Sequence, residues 1–287
     1  MEELVTLPCI PMISLETHHI VDLYVWVDDS LPKLLSCRNG RPPILRDSEL
    51  ITILIWNAVA VHQRTLKDLH RFARLHLSSE FPKMPKYNAF LEHCHRVTPL
   101  MFFLLQQLLC TEEPHRIADA TMLPVCTIKR ADQHRVAASI ADFGKNHQGW
   151  HYGFKLHAST SFDGKLCQIA LTSANVYDAQ MLPAITNAHT KLVVGDTLYG
   201  ASVMKRKLWE EQGTFVLAPP WPTQKKKIIA PWQHQLLNWR SKIEAVFDIL
   251  KEHLNLVTSF PRSVYGYLVH YVRILLGYQI VALSCGL

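Results

Sequence analysis

Apolar residues recur at intervals of three and four along the first 112 residues of the chain, which is the period of amphipathic helices. The most apolar of these segments runs from Leu50 to Val61 and is bounded by Glu49 and His62. It is well short of the roughly 20 residues that a membrane span requires. The pattern predicts a helical N-terminal region in which this segment is a buried helix.

Polar residues and one proline indicate where the helices of this region begin. Asp47 and Ser48 precede the apolar segment and are suited to cap its helix. Thr65 is suited to cap the next helix. Thr98 followed by Pro99 predicts a further start, because proline is well tolerated at the first helical position.

From residue 115 the apolar period changes to that of strands. Four short segments are rich in β-branched and aromatic residues: HRIADATMLPVC, WHYGFKLHASTSFDGKLCQIALTSA, KLVVGD and GTFVLAPP. The letters FDGK in the second segment predict a hairpin turn. Helices are expected at about 178 to 189, 200 to 212, 235 to 255 and 264 to 284. The predicted fold is α/β, with a helical region over residues 1–112 and a mixed-sheet domain with flanking helices over residues 113–287.

Charge is distributed unevenly along the chain. The first 30 residues contain six acidic residues and no Lys or Arg, which leaves 30 basic against 18 acidic residues over the rest. This imbalance favours a polyanionic partner, although charge alone does not separate nucleic acid from an acidic membrane. Seven cysteines without a C-x2-C pair argue against a disulfide framework or a zinc ribbon and indicate a reducing compartment.

One predicted helix, SKIEAVFDILKEHL at residues 241 to 254, carries charges at the edge of its apolar face. At about 100° per residue, Arg240, Glu244 and Lys251 line one stripe along the margin of that face. Charges in a partly desolvated position need a partner or a ligand. The stripe is therefore either a local i,i+4 ion pair between Arg240 and Glu244 or one side of a binding site.

Two aspartates at predicted strands favour the second interpretation. Asp119 interrupts the strand HRIADATML, and Asp196 ends the strand KLVVGD. Either one alone is suited to form a turn at a strand end. If the two strands and the margin with Glu244 meet, three carboxylates repel one another unless divalent cations neutralise them. Ligand sets made only of oxygen favour Mg²⁺ or Mn²⁺ over zinc.

The order of these acids resembles a known family. Asp119 and Asp196 on strands followed by Glu244 on a helix resembles the catalytic triad of RNase H-like DDE transposases from bacterial insertion sequences. The segments ADATMLPVC and SKIEAVFDILKEHLNL are most similar to the insertion-sequence 982 family, and the C-terminal segment PRSVYGYLVHYVRILLGYQIVAL also resembles that group. The resemblance extends over roughly residues 40 to 285.

Two shorter motifs add to the resemblance. Arg240-x3-Glu244-x6-Lys251 resembles the family-4-type signature tyrosine-x2-arginine-x3-glutamate-x6-lysine. Leu237 stands at the tyrosine position, so the role of that tyrosine is not carried over. The spacing from the second aspartate to Tyr199 resembles the family's second-aspartate motif, which makes Tyr199 a candidate for DNA binding.

The resemblance implies a fold, an activity and its partners. The fold is an RNase H-like mixed sheet, and the activity is metal-dependent cleavage of transposon ends followed by strand transfer into target DNA. Asp119, Asp196 and Glu244 are the implied ligands of two Mg²⁺ ions, for which Mn²⁺ can substitute. The implied partners are terminal inverted repeats, target DNA and at least a second copy of the chain. The expected location is the bacterial cytoplasm, in association with the nucleoid and without a membrane partner.

Basic residues near these acids are candidates for DNA contacts. The resemblance makes Arg240 and Lys251 candidates for holding the scissile strand, because cations bind phosphate oxygens without competing for metal ions. Lys155 shares a face of its strand with His151 and His157, and either reaches a phosphate or is a solvated edge lysine. Further basic residues in loops are expected to contact backbone phosphates: Lys129, Arg130, Arg135 and Gln224–Lys227.

Two other functions remain open from the sequence. One is a DNA-binding protein that has kept the fold and lost transposition. The other is an RNase H-like nuclease that acts on RNA hybrids or junctions. The intact carboxylates argue against the first, and the long helical N-terminal region argues against the second.

Overall fold

The computed structural model describes residues 19–31, 43–221, 223 and 229–285. Its contacts form two compact units. The helical unit comprises the described residues up to Leu108, Leu254–Leu256 and those from Phe260 onwards, and the sheet unit comprises Leu109–His253 and Val257–Ser259. The C-terminal helix thus has its contacts in the helical unit, and the division near residue 112 into two functional domains stays a prediction.

Helices form the first part of the described chain, and strands begin at residue 115. The helices are α1 (His19–Ser30), α2 (Asp47–Trp56), α3 (Leu66–His76), α4 (Tyr87–Leu108), α5 (Ser202–Gln212), α6 (Pro231–Asn238), α7 (Ser241–Asp248) and α8 (Val264–Cys285). The strands are β1 (His115–Cys126), β2 (Asp142–Asn146), β3 (Gly149–Thr160), β4 (Leu166–Ser173), β5 (Leu192–Val194) and β6 (Phe215–Leu217). Two π-helical segments, Asn57–Val61 and Ile249–His253, extend α2 and α7.

The helical unit is built around α8, which packs against α4 and α2. The segment Val264–Ser284 is long and apolar enough to cross a membrane by length and composition, but 78% of its most apolar stretch is buried inside the protein. A helix that is apolar on all sides and buried in this way is typical of a protein core. The α2 helix is also buried, which confirms the prediction for most of the segment from Leu50 to Val61.

The helix starts agree in part with those predicted. The Thr65 hydroxyl accepts a hydrogen bond from the backbone N–H of Asp68 at 3.1 Å and caps α3 as predicted. The α2 helix begins one step earlier than predicted, because Arg46 occupies its N-cap position. The Arg46 backbone N–H donates to Glu49 Oε2 at 2.6 Å. Asp47 is therefore the first helical residue, where its negative charge is favourable for the helix dipole.

The helix start predicted at Thr98 and Pro99 is wrong, because α4 continues through both residues. The Thr98 hydroxyl donates to the Cys94 carbonyl at 2.9 Å inside the helix. Cys94, Val97 and Met101 are fully buried on either side of the proline. Packing of this face holds the helix together where proline removes one backbone hydrogen bond.

The sheet unit has the α/β architecture that the sequence predicts. The β1 strand lies at its centre, antiparallel to β3 and parallel to β5, which in turn is parallel to β6. The outer edge of β3 pairs with β2 and then with β4, both antiparallel. A mixed sheet in which three antiparallel strands continue into parallel ones, with flanking helices, is consistent with the RNase H-like fold and confirms the predicted fold class.

The strand predictions around the hairpin are also confirmed. The bounds of β1 are those of the segment HRIADATMLPVC. The β3 and β4 strands are joined by the predicted turn, in which the Ser161 N–H donates to the Lys165 carbonyl at 2.8 Å. Gly164 adopts a positive φ of 84° in this turn, a conformation that favours glycine.

Two predicted helices differ from the observed ones. The segment expected at about 178 to 189 is a short 3-10 helix, Asp178–Ala184, with Pro183 inside it. The segment expected at 235 to 255 is divided into α6, α7 and a π-helical segment. At the joint between α6 and α7, Trp239, Arg240 and Lys242 donate backbone hydrogen bonds to residues three positions earlier. This tighter winding separates the two helices.

Candidate active site

Asp119 lies inside β1, and Asp196 lies two residues beyond the end of the neighbouring parallel strand β5. The register of β1 and β5 pairs Ile117 with Val194. Continuing this register by two residues brings Asp119 level with Asp196. The sequence separates these acids widely, and the parallel pairing is what places them side by side.

The Asp119 carboxyl is in an environment that opposes its ionisation. Burial is the main cause, and it raises the pKa of Asp119 to about 7 from its ordinary value of 3.8. The charges of Asp196 and Asp178 raise it further, while Arg240 and a hydrogen bond from the Ala120 N–H at 2.8 Å lower it. The raised pKa shows that the Ala120 hydrogen bond and the positive charge of Arg240 do not compensate the desolvation of this carboxylate fully.

Asp196 caps the 3-10 helix Thr197–Gly200, where its Oδ1 accepts a hydrogen bond from the Leu198 N–H at 2.8 Å. The turn-forming role that the sequence suggests for Asp196 is therefore present. Gly195 precedes it, and a Cβ atom there would lie 2.7 Å from Cδ2 of Tyr199. Glycine at this position lets the tyrosine ring pack directly against the end of β5.

Tyr199 is fully buried. Within the described part of the chain its hydroxyl has no hydrogen-bond partner. Burial, followed by the charges of Asp119, Asp178 and Asp196, raises the pKa of Tyr199 well above its usual value. The phenol therefore stays protonated near the acids, and in this conformation it is not accessible to DNA, so the structure gives no support to the predicted contact.

Glu244 lies on α7 with its side chain 59% exposed. Its Oε1 is 3.7 Å from Nη2 of Arg240, which is the i,i+4 pair expected from the sequence. The Arg240 side chain is more buried, and its Nε atom has no hydrogen-bond partner among the described residues. The Arg240 charge also acts on Asp119 and Tyr199, so this arginine links the helix margin electrostatically to the acid on β1.

Lys251 lies in the π-helical segment that follows α7. Burial lowers the pKa of Lys251, whereas the charges of Asp248, Glu252 and Asp119 act in the opposite direction. Arg240 thus acts electrostatically on Asp119, and the charge of Asp119 acts on Lys251. π-helical segments of this kind are frequent at functional sites.

A further acid, Asp178, is close to the two aspartates and is not identifiable from the sequence pattern. Its Oδ1 accepts a hydrogen bond from Lys155 Nζ at 2.9 Å and lies 3.7 Å from His157 Nδ1. Its charge raises the pKa values of Asp119 and Tyr199. The only sequence signal is an acidic residue soon after the strand β4, and that signal is common at turns.

Lys155 is buried in contact with this acid and is not at a solvated edge. Its Nζ atom also donates to the Val176 carbonyl at 2.8 Å. Burial lowers the pKa of the adjacent His157 to about 4, so the imidazole is neutral and bonds to Thr172 Oγ1 at 2.9 Å. The predicted phosphate contact of Lys155 thus lacks support in this structure, where its ammonium group forms an internal ion pair.

Only some residues of the predicted basic loops are among those that the structure describes. Lys129 and Arg130 are exposed on the 3-10 helix Ile128–Gln133, directly after β1. Gln224–Lys227 lies outside the described residues. Lys129 and Arg130 are therefore accessible to a DNA backbone.

The chemistry of the acids suits a divalent cation. Within the described ranges, no group of three or more His, Cys, Asp or Glu side chains is arranged to hold a metal ion. The donors of Asp119 and Asp196 are carboxylate oxygens, which hard cations prefer. A bound cation would stabilise the charged form of Asp119, which its burial disfavours. Asp119 and Asp196 therefore suit a divalent metal by donor type, whereas the described side chains do not group Glu244 with them.

Comparison with known proteins gives one family. Residues 110–264, slightly more than half of the chain, match the family described as Transposase DDE domain. The matched range contains all of β1 to β6 and α7. No significant match to the chain was found among curated proteins or among solved structures.

Proposed function

Because the chain belongs to the Transposase DDE domain family, we propose that it is a metal-dependent DNA transposase of insertion-sequence type with Asp119, Asp196 and Glu244 as its catalytic acids. The observation that carries this proposal is the parallel register that brings Asp119 level with Asp196. The raised pKa of Asp119 supports it, since perturbed carboxylates are frequent in active sites.

Divalent metals are general in this family, and we assign two Mg²⁺ ions, or Mn²⁺, to the three acids. When bound, two such ions activate a water or hydroxyl and stabilise the charge that develops at phosphorus. Asp119 must be deprotonated to serve as a ligand, so its raised pKa makes binding depend on pH. Oδ1 of Asp196 caps the 3-10 helix, so the other carboxylate oxygen is the one proposed to bind metal.

The cations on the helix margin position the DNA. Arg240 keeps Glu244 on the same side of α7 through the 3.7 Å contact. A phosphate group competes with the carboxylate for this guanidinium, because both are oxyanions that arginine binds in a bidentate manner. Lys251 supplies a second positive charge within reach of Asp119, and Lys129 and Arg130 contact the backbone further along the strand.

We propose the remaining details from the resemblance and the charge. The insertion-sequence 982 group, related to the family-4 type, is the proposed subfamily. The substrates are the terminal inverted repeats of the element and a target DNA, and pairing of two ends requires at least a dimer. Residues 1–112 are assigned to end binding or dimerisation, residues 113–287 to catalysis, and the protein to the bacterial nucleoid.

A plasmid assay tests the proposal. A supercoiled plasmid that carries the coding sequence with its flanking DNA is incubated with the protein and Mg²⁺. We expect cleavage at the element ends, and a loss of more than about a hundredfold for Asp196→Asn, because losing a ligand costs at least as much as losing a residue behind it. Asp163→Asn, at an exposed residue of the β3–β4 turn, is the matched control and should cleave normally.

Metal-binding calorimetry and a comparison of cleavage substrates distinguish the two other functions. Metal binding without cleavage of any substrate indicates a DNA-binding derivative that has lost transposition. Preferred cleavage of an RNA–DNA hybrid or a junction indicates an RNase H-like nuclease. Equal cleavage by the Asp196→Asn variant contradicts the assignment of the acids.

A further inference from the structure

The helical unit contains a cavity of about 310 Å³. One wall is apolar and aromatic, and it is formed by Leu66, Leu91, Tyr87, Phe260 and Pro261. A cavity of this size is within the range that binds small organic ligands. All its lining residues belong to the helical unit, so it is separate from the candidate active site.

A buried arginine without a carboxylate partner lies against this cavity. Arg273 is 3% exposed and lines the cavity together with His270. Its Nη2 atom donates to the Gln63 carbonyl at 3.4 Å and to His270 Nδ1 at 3.2 Å. For Nε and Nη1, no hydrogen-bond partner is present in the described parts of the chain.

The neighbouring histidine does not neutralise this arginine. His270 Nε2 bonds to the Asn255 carbonyl at 2.9 Å and is therefore the protonated nitrogen, which leaves Nδ1 as an acceptor for Arg273. Burial lowers the pKa of His270 to about 3, so the ring is neutral. Burial also lowers the pKa of Arg273 to about 10, which still leaves the guanidinium charged at neutral pH. An unpaired buried charge is costly unless a ligand balances it.

Two more arginines and two helix starts surround the cavity. Arg64 and Arg262 are exposed and contribute to its lining. Thr65 caps α3 there, and at the start of α8 the Ser263 hydroxyl accepts a hydrogen bond from the Gly266 N–H at 3.0 Å. Helix N-termini attract anions. No Asp or Glu is present among the lining residues that the structure describes, so the charges that line the cavity are positive. A carboxylate lies beside the lining, that of Asp68, which accepts a hydrogen bond from the Thr65 hydroxyl at 2.6 Å.

We propose that this cavity binds a nucleotide, with its phosphate at Arg273, Arg64 and Arg262 and its base against Tyr87 and Phe260. Guanidinium groups match the geometry of phosphate oxygens, and an aromatic wall binds a base by stacking. The nucleotide is either free in solution or displaced from a DNA strand. The proposal does not depend on cleavage by the three acids, because it concerns other residues in the other unit.

Calorimetric titration of the full chain with thymidine 5′-monophosphate tests the site, with thymidine as the phosphate-free probe. The monophosphate should bind more tightly than thymidine. Arg262→Ala and Arg64→Ala should each weaken its binding by about tenfold or more, as expected for loss of a hydrogen bond to a charged group. Both positions are exposed, so these variants avoid the risk that a substitution at buried Arg273 unfolds the protein.

The control is Arg71→Ala, which removes an exposed arginine of α3 that does not line the cavity. It should leave nucleotide binding unchanged. A duplex with a one-nucleotide 5′-phosphorylated overhang identifies the source of the nucleotide. If the duplex competes with the monophosphate, the site binds a nucleotide of a DNA strand. If the duplex does not compete, the site binds a free nucleotide, and both outcomes support the site. The proposal is overturned if thymidine binds as tightly as the monophosphate, or if both cavity variants bind it normally.

Discussion

At the scale of single residues, the fold raises the pKa of Asp119, and this shift can be tested. Its pKa is about 7 in the folded protein, against 3.8 for an ordinary aspartate. The folded protein therefore holds this proton more tightly than the unfolded chain does. The contribution of Asp119 to the stability of the folded state therefore falls as the pH rises from about 4 to about 7, and that loss is complete above this range.

This shift predicts how an asparagine variant behaves. Without divalent metal, Asp119→Asn should be more stable than the wild type at pH 8 and should differ little from it at pH 4. The reason is that asparagine carries no charge to be desolvated. Urea unfolding with EDTA at both pH values measures this. A wild-type advantage at pH 8 would mean that positive neighbours such as Arg240 compensate the carboxylate more fully than its surroundings indicate.

At the scale of elements, the pair formed by Lys155 of β3 and Asp178 joins the sheet to the following 3-10 helix. Their side chains are only 10% and 18% exposed. Removing one partner leaves an uncompensated buried charge. We expect Lys155→Met to lower the free energy of unfolding by about 3 kcal/mol, measured by urea denaturation.

A second variant separates the charge effect from the loss of packing. In Lys155→Met/Asp178→Asn neither partner is charged, so most of the lost stability should return. If the double variant is as unstable as Lys155→Met, the stability comes from packing of the lysine side chain and not from the ion pair.

The elements that sequence patterns predict well are those defined by local residues. The β1 strand is long and mostly apolar, with runs of buried residues, and the turn at Gly164 needs a positive φ, so both are evident from the sequence. The break between α6 and α7 is different, because Trp239 stacks on Phe162 of the distant β3–β4 turn with ring centroids 5.2 Å apart. Helical periodicity contains no information about such a contact.

The candidate site shows the same division. Asp119, Asp196 and Glu244 can be proposed from their positions on strands and at a helix margin together with a family resemblance. Asp178 cannot, because its proximity to Asp119 depends on how the strands pair and on the position of the following 3-10 helix. The burial of Lys155 escapes sequence reasoning for a related reason: alternation along β3 shows which residues share a face but not what covers that face.

At the scale of the whole molecule, the net charge of +6 favours binding to DNA through its phosphates. Such binding weakens with salt in proportion to the number of phosphates that the protein neutralises. Lys129 and Arg130 are exposed and follow the strand that carries Asp119. They are therefore placed to contribute to this electrostatic component.

Replacing both residues by glutamine should reduce the salt dependence of DNA binding. Each phosphate contact adds about 0.9 to the slope of log affinity against log salt, so the double variant should lose about 1.8. Fluorescence anisotropy with duplex DNA at several salt concentrations measures the slope. An unchanged slope would show that these two residues do not contact DNA.

The whole account depends on the proposed metal binding by Asp119 and Asp196, and titration with Mn²⁺ monitored by electron paramagnetic resonance tests this most directly. At pH 8, Asp119→Asn and Asp196→Asn should each weaken Mn²⁺ binding by about a hundredfold or more, while Asp163→Asn binds like the wild type. Wild-type binding should also weaken below pH 7, where Asp119 is protonated. If both site variants bind Mn²⁺ as tightly as the wild type, these aspartates are not its ligands and the central claim is wrong.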